Sequence, residues 1–142
     1  MFPTVHFHPM VVHFPIALLL MGLLFEVLNV FYKDYKFLSM AAAYLLVFGA
    51  IAAIAAWATG QLFTGEMEGA AGEIKDSHEL FALITMITSV ITALLYTWYL
   101  LKPPAAFNLR WIVFALYCLV GIAVAVTGYY GGILVYEYML PL

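Results

Sequence analysis

Four histidines, His6, His8, His13 and His78, are the side chains best suited to chemistry, and three of them fall within eight residues of one another. Imidazole is a good ligand for iron, copper and zinc, whether the metal is bare or carried at the centre of a haem. It also sits well where lipid headgroups meet water, and for His6 that plainer explanation suffices. Glu79 and Glu137 are carboxylates that could complete a metal shell. Glu26 stands alone in a long apolar run. A carboxyl there is either a functional group or an acid hydrogen-bonded to a serine or tyrosine of a neighbouring helix. Cys118 is the single cysteine, which excludes disulfide frameworks, zinc ribbons and CxxC redox motifs. HExxH, a Ser or Cys nucleophile beside a base, and a phosphate-cradling glycine loop are all missing from the sequence. The residues therefore suit a held cofactor and electron transfer better than a stand-alone hydrolytic enzyme.

The elements that must position these groups follow from composition. Apolar residues make up 67% of the 142-residue chain and charged residues 9%, against a globular norm of roughly half and a quarter. A soluble domain of this size could not bury so much apolar surface, whereas a bilayer accepts it. Four continuous apolar runs lie at about Phe14–Tyr32, Phe37–Gly60, His78–Leu101 and Leu109–Tyr136. Each reaches the roughly 20 residues needed to cross the hydrocarbon as a helix. The expected fold is all-α, a single-domain four-helix transmembrane bundle over residues 1–142. Lys33-Asp34-Tyr35-Lys36 makes a short polar turn, and Lys102-Pro103-Pro104 stops the third helix. Asp76 and Glu79 resemble a capping box that would put His78 in the first turn of that helix.

Lys33, Lys36, Lys102 and Arg110 all fall in the first and third connections, while the second holds Glu66, Glu68, Glu73 and Asp76 against Lys75. The positive-inside rule then places both termini and the acidic loop outside. The expected location is a bacterial inner (cytoplasmic) membrane, with the histidines facing the periplasm or exterior. Residues Met1 to Met10 carry no Lys or Arg, and no cleavage site follows, so the first helix is expected to be retained. Trp57, Tyr129, Tyr130, Tyr136 and Tyr138 suit an interfacial belt at the outer end. Ala52, Ala56 and Gly60, and likewise Gly128 and Gly132, have the spacing that lets helix backbones approach closely in lipid. A net charge of -3 with five Lys or Arg leaves no footprint for nucleic acid.

The two halves of the chain are alike. His13, Ala17, Leu18 and Met21 match His78, Ala82, Leu83 and Met86, and Ala58-Thr59-Gly60 matches Val126-Thr127-Gly128. Two helices per half imply parallel repeats, over residues 8–63 and 76–137, related by an axis along the membrane normal. In that arrangement His13 and His78 face each other from diagonal helices.

His8-Pro9-Met10-Val11-Val12-His13-Phe14-Pro15-Ile16-Ala17-Leu18 resembles the opening motif of the DUF2231 family of predicted membrane proteins. Thr127-Gly128-Tyr129-Tyr130-Gly131-Gly132-Ile133-Leu134-Val135-Tyr136 is similar to its closing motif. With His78, the resemblance spans nearly the whole chain. It implies a four-helix membrane module, of a kind also found fused to c-type cytochromes or Rieske-like proteins, and hence a respiratory setting. Relatives often carry a His-Gly pair where this chain has Glu137-Tyr138, so no histidine role is carried over at that end.

Three readings follow. In the first, His13 and His78, with His8 nearby, hold a haem b that passes electrons between a quinol or redox partner protein and an exterior acceptor. In the second, His8, His13 and His78 hold a transition-metal ion, completed by Glu79 or Glu137. In the third, the module carries no cofactor and anchors a redox complex in membrane lipid.

Overall fold

The computed structural model describes residues 7–101 and 107–138, and there it consists of four long helices. They are α1 (Phe7–Phe31), α2 (Lys36–Phe63), α3 (Gly69–Leu101) and α4 (Phe107–Tyr136). All four are long and apolar enough to cross a membrane. His6 and the Lys102-Pro103-Pro104 stop lie outside the described residues.

Two helices begin earlier than the apolar runs predict. The first starts at Phe7, not near Phe14, and runs through both Pro9 and Pro15. Proline in the first turn costs nothing there, and neighbouring helices let membrane helices tolerate it further in. The third starts at Gly69, so Asp76 and Glu79 are interior residues and His78 stands more than two turns into the helix. Local chemistry explains the extension. Gly69 takes φ +64°, which turns the chain sharply, and Ala70-Ala71 then favour helix. Gly72 is packed under the incoming loop, where a Cβ would lie 2.4 Å from the Met67 carbonyl oxygen. Lys75 pairs with Glu79 one turn on, and Ser77 Oγ donates to the Glu73 carbonyl at 2.9 Å.

The helices form a ring in which α1 packs chiefly on α2 and α3 on α4, with α2 against α3 and α1 against α4 closing it. Helices α1 and α3 therefore stand diagonally. Large apolar side chains such as Phe14, Phe31, Ile51, Leu94 and Ile122 point outward on every helix, where a bilayer would cover them. The buried face of α2 is built mostly from small residues instead. On α2 the buried positions are Leu38, Ala42, Ala43, Leu46, Gly49, Ala50, Ala53 and Ala56. Without a hydrophobic drive between helices in lipid, close backbone approach of this kind holds the bundle together. Ala56 belongs to that face as expected, but Ala53 rather than Ala52 accompanies it. Gly128 and Gly132 do not serve as packing contacts, since a Cβ on either would meet open space. On α4 the close approaches are at Gly121, against Leu23, and at Gly131, against His78.

Gly22 marks the tightest contact between α1 and α4. A Cβ there would lie 2.0 Å from the Tyr117 hydroxyl and 3.0 Å from Leu45 Cβ. Gly22→Ala is therefore expected to destabilise the bundle by about 1–3 kcal/mol through overpacking. Tyr117→Phe in the same chain should recover most of that loss by removing the clashing oxygen. Unfolding by SDS in mixed micelles measures both; equal stability of the single and double variants would refute the contact.

Candidate functional site

Three side chains and two carbonyls meet at the end of the bundle where α1 and α3 begin and α2 and α4 finish. His8 projects from the first turn of α1 toward α2. Its Nδ1–H donates to the Ala56 carbonyl at 3.0 Å and lies 3.2 Å from Thr59 Oγ1, which itself donates to Ala56 at 2.9 Å. His78 does the same from α3 toward α4, its Nδ1–H donating to the Thr127 carbonyl at 3.0 Å. A backbone carbonyl can only accept, so both Nδ1 atoms carry protons and both Nε2 atoms are left as the free ring nitrogens. The two half-buried rings approach each other across the diagonal with centroids 6.2 Å apart and planes at 81°.

The surroundings of the two imidazoles correspond. Gly60 lies against His8 and Gly131 against His78, each placed so that a Cβ would come within 3.1 Å of the ring's Cε1. Absence of a side chain at these two glycines is what lets the Cε1 edge of each ring come up against the partner helix. Thr127 Oγ1 also bonds Thr85 Oγ1 at 3.1 Å and donates to the Ala123 carbonyl at 2.8 Å, so the carbonyl that holds His78 belongs to a residue itself held in place.

The expected facing of His13 and His78 is corrected by this geometry: the ring that meets His78 is that of His8. His13 is exposed and its Nδ1–H donates to the Pro9 carbonyl of its own helix at 2.7 Å. Five residues separate the two histidines, which on an α-helix is a rotation of about 140°, so they cannot share a face. The four-residue metal set fares likewise. Glu137 is exposed just past the end of α4, and Glu79 is engaged by Lys75. Among the described residues, no group of three or more His, Cys, Asp or Glu converges to hold a bare metal ion. Of the aromatics assigned to an outer belt, Tyr129, Tyr136 and Tyr138 are exposed, whereas Tyr130 stacks on Phe81 at 5.7 Å.

A second polar group closes the opposite end of the same diagonal. Glu26 is 2% exposed, and Tyr96 of α3 donates a hydrogen bond to its Oε2. Asn29 Nδ2 donates to the same oxygen at 3.3 Å, and Arg110 of α4 donates to the Asn29 carbonyl at 3.2 Å. The tyrosine partner expected for Glu26 is thus present. Between the two ends, α3 turns Thr85, Ser89 and Thr92 into the interior, all buried. These residues were overlooked in the sequence, although their 4- and 3-residue spacing, continued to Tyr96, is that of a single helix face. Their hydroxyls were hidden among equally frequent apolar neighbours.

A family model described as a predicted membrane protein (DUF2231) matches residues 4–141 of the chain. No curated protein and no solved structure gives a significant match.

His8→Ala deletes a cross-helix hydrogen bond and is expected to cost about 1–2 kcal/mol. His13→Ala, exposed and bonded within its own helix, should stay within about 0.5 kcal/mol of the parent. Thermal unfolding in detergent compares them, and equal losses would contradict the assignment of the inward-facing ring.

Proposed function

This chain belongs to the DUF2231 family of predicted membrane proteins, and from its paired imidazoles we propose that it holds a b-type haem between His8 and His78 as a subunit for respiratory electron transfer. The separation of the two rings carries the reading. Two imidazoles that shared one metal through nitrogens at about 2.0 Å would have centroids up to roughly 6 Å apart, and these stand 6.2 Å apart. The donor chemistry also fits. Ligating histidines commonly donate the other ring N–H to a backbone carbonyl, which fixes tautomer and orientation. Ala56 and Thr127 supply those carbonyls here.

The number of ligands favours haem over a bare ion. A structural zinc takes four protein ligands, and the described residues bring only two imidazoles together. A haem would need only the imidazoles of His8 and His78 from the chain. When bound it would contribute one-electron chemistry. The chain's part is to fix two Nε2 atoms from diagonal helices, with Gly60 and Gly131 leaving both rings free of side-chain crowding. The matching environments of His8 and His78 also support an origin in two parallel two-helix repeats.

In this reading the paired histidines face the exterior of a bacterial inner membrane, as the distribution of Lys and Arg suggests. A quinol or a redox partner protein delivers electrons and an exterior acceptor removes them. Lipid surrounds the bundle.

The dithionite-reduced spectrum of protein purified from a haem-replete host tests the reading. A sharp α-band is expected for the parent chain and for His13→Ala, and its loss for His8→Ala and for His78→Ala. Protein without the band would overturn the proposal and leave the cofactor-free anchor in its place, and a band that survives His8→Ala would overturn the pairing of His8 with His78 as the ligands.

A further inference from the structure

The polar groups of this bundle do not stop at the paired histidines. Five buried polar or charged side chains occur among the described residues: Glu26, Lys75, Thr85, Ser89 and Thr92. Four of them stand on α3. Thr85, Ser89 and Thr92 share a face with Tyr96, whose hydroxyl donates to Glu26. Glu26 lies 18 residues beyond His8 on α1, a rise of about 27 Å, or nearly the full thickness of the hydrocarbon. Polar side chains therefore line the interior from one membrane boundary to the other.

Such a column is costly if it only packs. Serine and threonine do allow close helix approach, but alanine does so without a hydroxyl, and α2 uses alanine throughout its buried face. A carboxyl group buried at 2% exposure is a still larger expense. A second observation points to an occupant. The Tyr117 hydroxyl is fully buried and has no hydrogen-bond partner among the described residues. It rests against Gly22, one turn from Glu26 on the same helix. Tyr117 thus brings a free donor and acceptor to the interior beside the carboxyl group, where a water or a mobile proton would satisfy it.

We propose that Glu26 is a proton-binding site and that the hydroxyl face of α3 connects it across the bundle, so that this chain conducts protons through the membrane. Both hydrogen bonds to Glu26 fall on Oε2, and the exchangeable proton sits on Oε1. It enters from the end that carries Asn29 and Arg110, since Glu26 is only five residues from the end of α1, about 8 Å. The titratable groups near Glu26 are Tyr96 of α3 and Tyr117 and Cys118 of α4, with Arg110 of α4 beyond Asn29. Helix α2 adds no ionisable group, its buried positions being Leu, Ala and Gly.

From Glu26 the proton passes to the tyrosine hydroxyls and along Thr92, Ser89 and Thr85. The steps from Tyr96 rise about 6, 4.5 and 6 Å along the helix axis, and bridging waters would link the hydroxyls. A hydroxyl both donates and accepts, so it takes a proton on one side while releasing one on the other. Ser89 and Thr92 now donate to the carbonyls of Met86 and Thr88, which leaves their oxygen lone pairs to receive. The Thr85–Thr127 pair, 3.1 Å apart, ends the path where Thr127 is half-exposed. No change in the charge of either paired imidazole is required, and the inference stands apart from the haem reading.

Reconstitution of the full chain into vesicles containing a pH-sensitive dye tests this, with a potassium gradient and valinomycin setting the membrane potential. The parent chain is expected to acidify or alkalinise the lumen faster than protein-free vesicles, in the direction of the potential. Glu26→Gln should fall to the protein-free rate. Ser89→Ala combined with Thr92→Val, which keeps the packing volume, should slow the flux several-fold at unchanged helicity. If Glu26→Gln fails to fold, that double variant decides alone. A parent chain no faster than empty vesicles, or either variant matching the parent, would overturn the proposal.

Discussion

A polar group inside hydrocarbon must find its partner within the protein, because no water stands ready to replace it. The arrangement of this bundle follows from that requirement. Its outer surface is made of large apolar side chains, which lipid solvates as well as another helix would. Apolar burial therefore discriminates little between one packing and another. What selects the observed arrangement is small residues that admit close contact and a few polar side chains that must meet. The diagonal helices α1 and α3 share almost no backbone contact, yet Tyr96 bonds Glu26 across the diagonal at one end and the His8 and His78 rings meet edge to face at the other. Both pairs are 70 residues apart in the chain. The Glu26–Tyr96 bond, with the His8 and His78 bonds to carbonyls of α2 and α4 at the other end of the bundle, fixes the rotation of both helices about their own axes.

That rotation is what the sequence leaves hardest to read. The four spans are legible in hydropathy alone, and the turn at Lys33 to Lys36 follows from its charge. The start of α1 was obscured by Pro9 and Pro15, which usually end helices in water but are tolerated here. The start of α3 was obscured by Asp76 and Glu79, whose spacing imitates a cap although Gly69 begins the helix. Histidine and glutamate stood out as chemically active. Which histidine faces inward did not, because an amphipathic pattern of the usual kind is missing when lipid and core are both apolar.

The alignment of the two halves shows the same difficulty in sharper form. Matching His13 to His78 gains identical residues at Ala17, Leu18 and Met21, and side-chain identity favours that register. Matching His8 to His78 gains fewer identities but brings corresponding contacts: a carbonyl on the next helix and a glycine beneath the ring. Small apolar residues recur by chance in such compositions. A ring nitrogen that must bond a carbonyl is a stronger constraint than three similar letters.

The hydroxyl face of α3 joins the two ends into one physical system. Thr85 bonds Thr127, whose carbonyl holds His78, while Tyr96 on the same face holds Glu26. A change of charge at the Glu26 end therefore acts on a helix that also positions an imidazole about 27 Å away along the membrane normal. Coupling of this sort needs no moving domain. It needs only that α3 respond as one rigid element, with Ser89 and Thr92 bonded to their own backbone and bulky neighbours outside in lipid. The imidazole end, held by its carbonyl partner, and the hydroxyl face thus belong to a single helix.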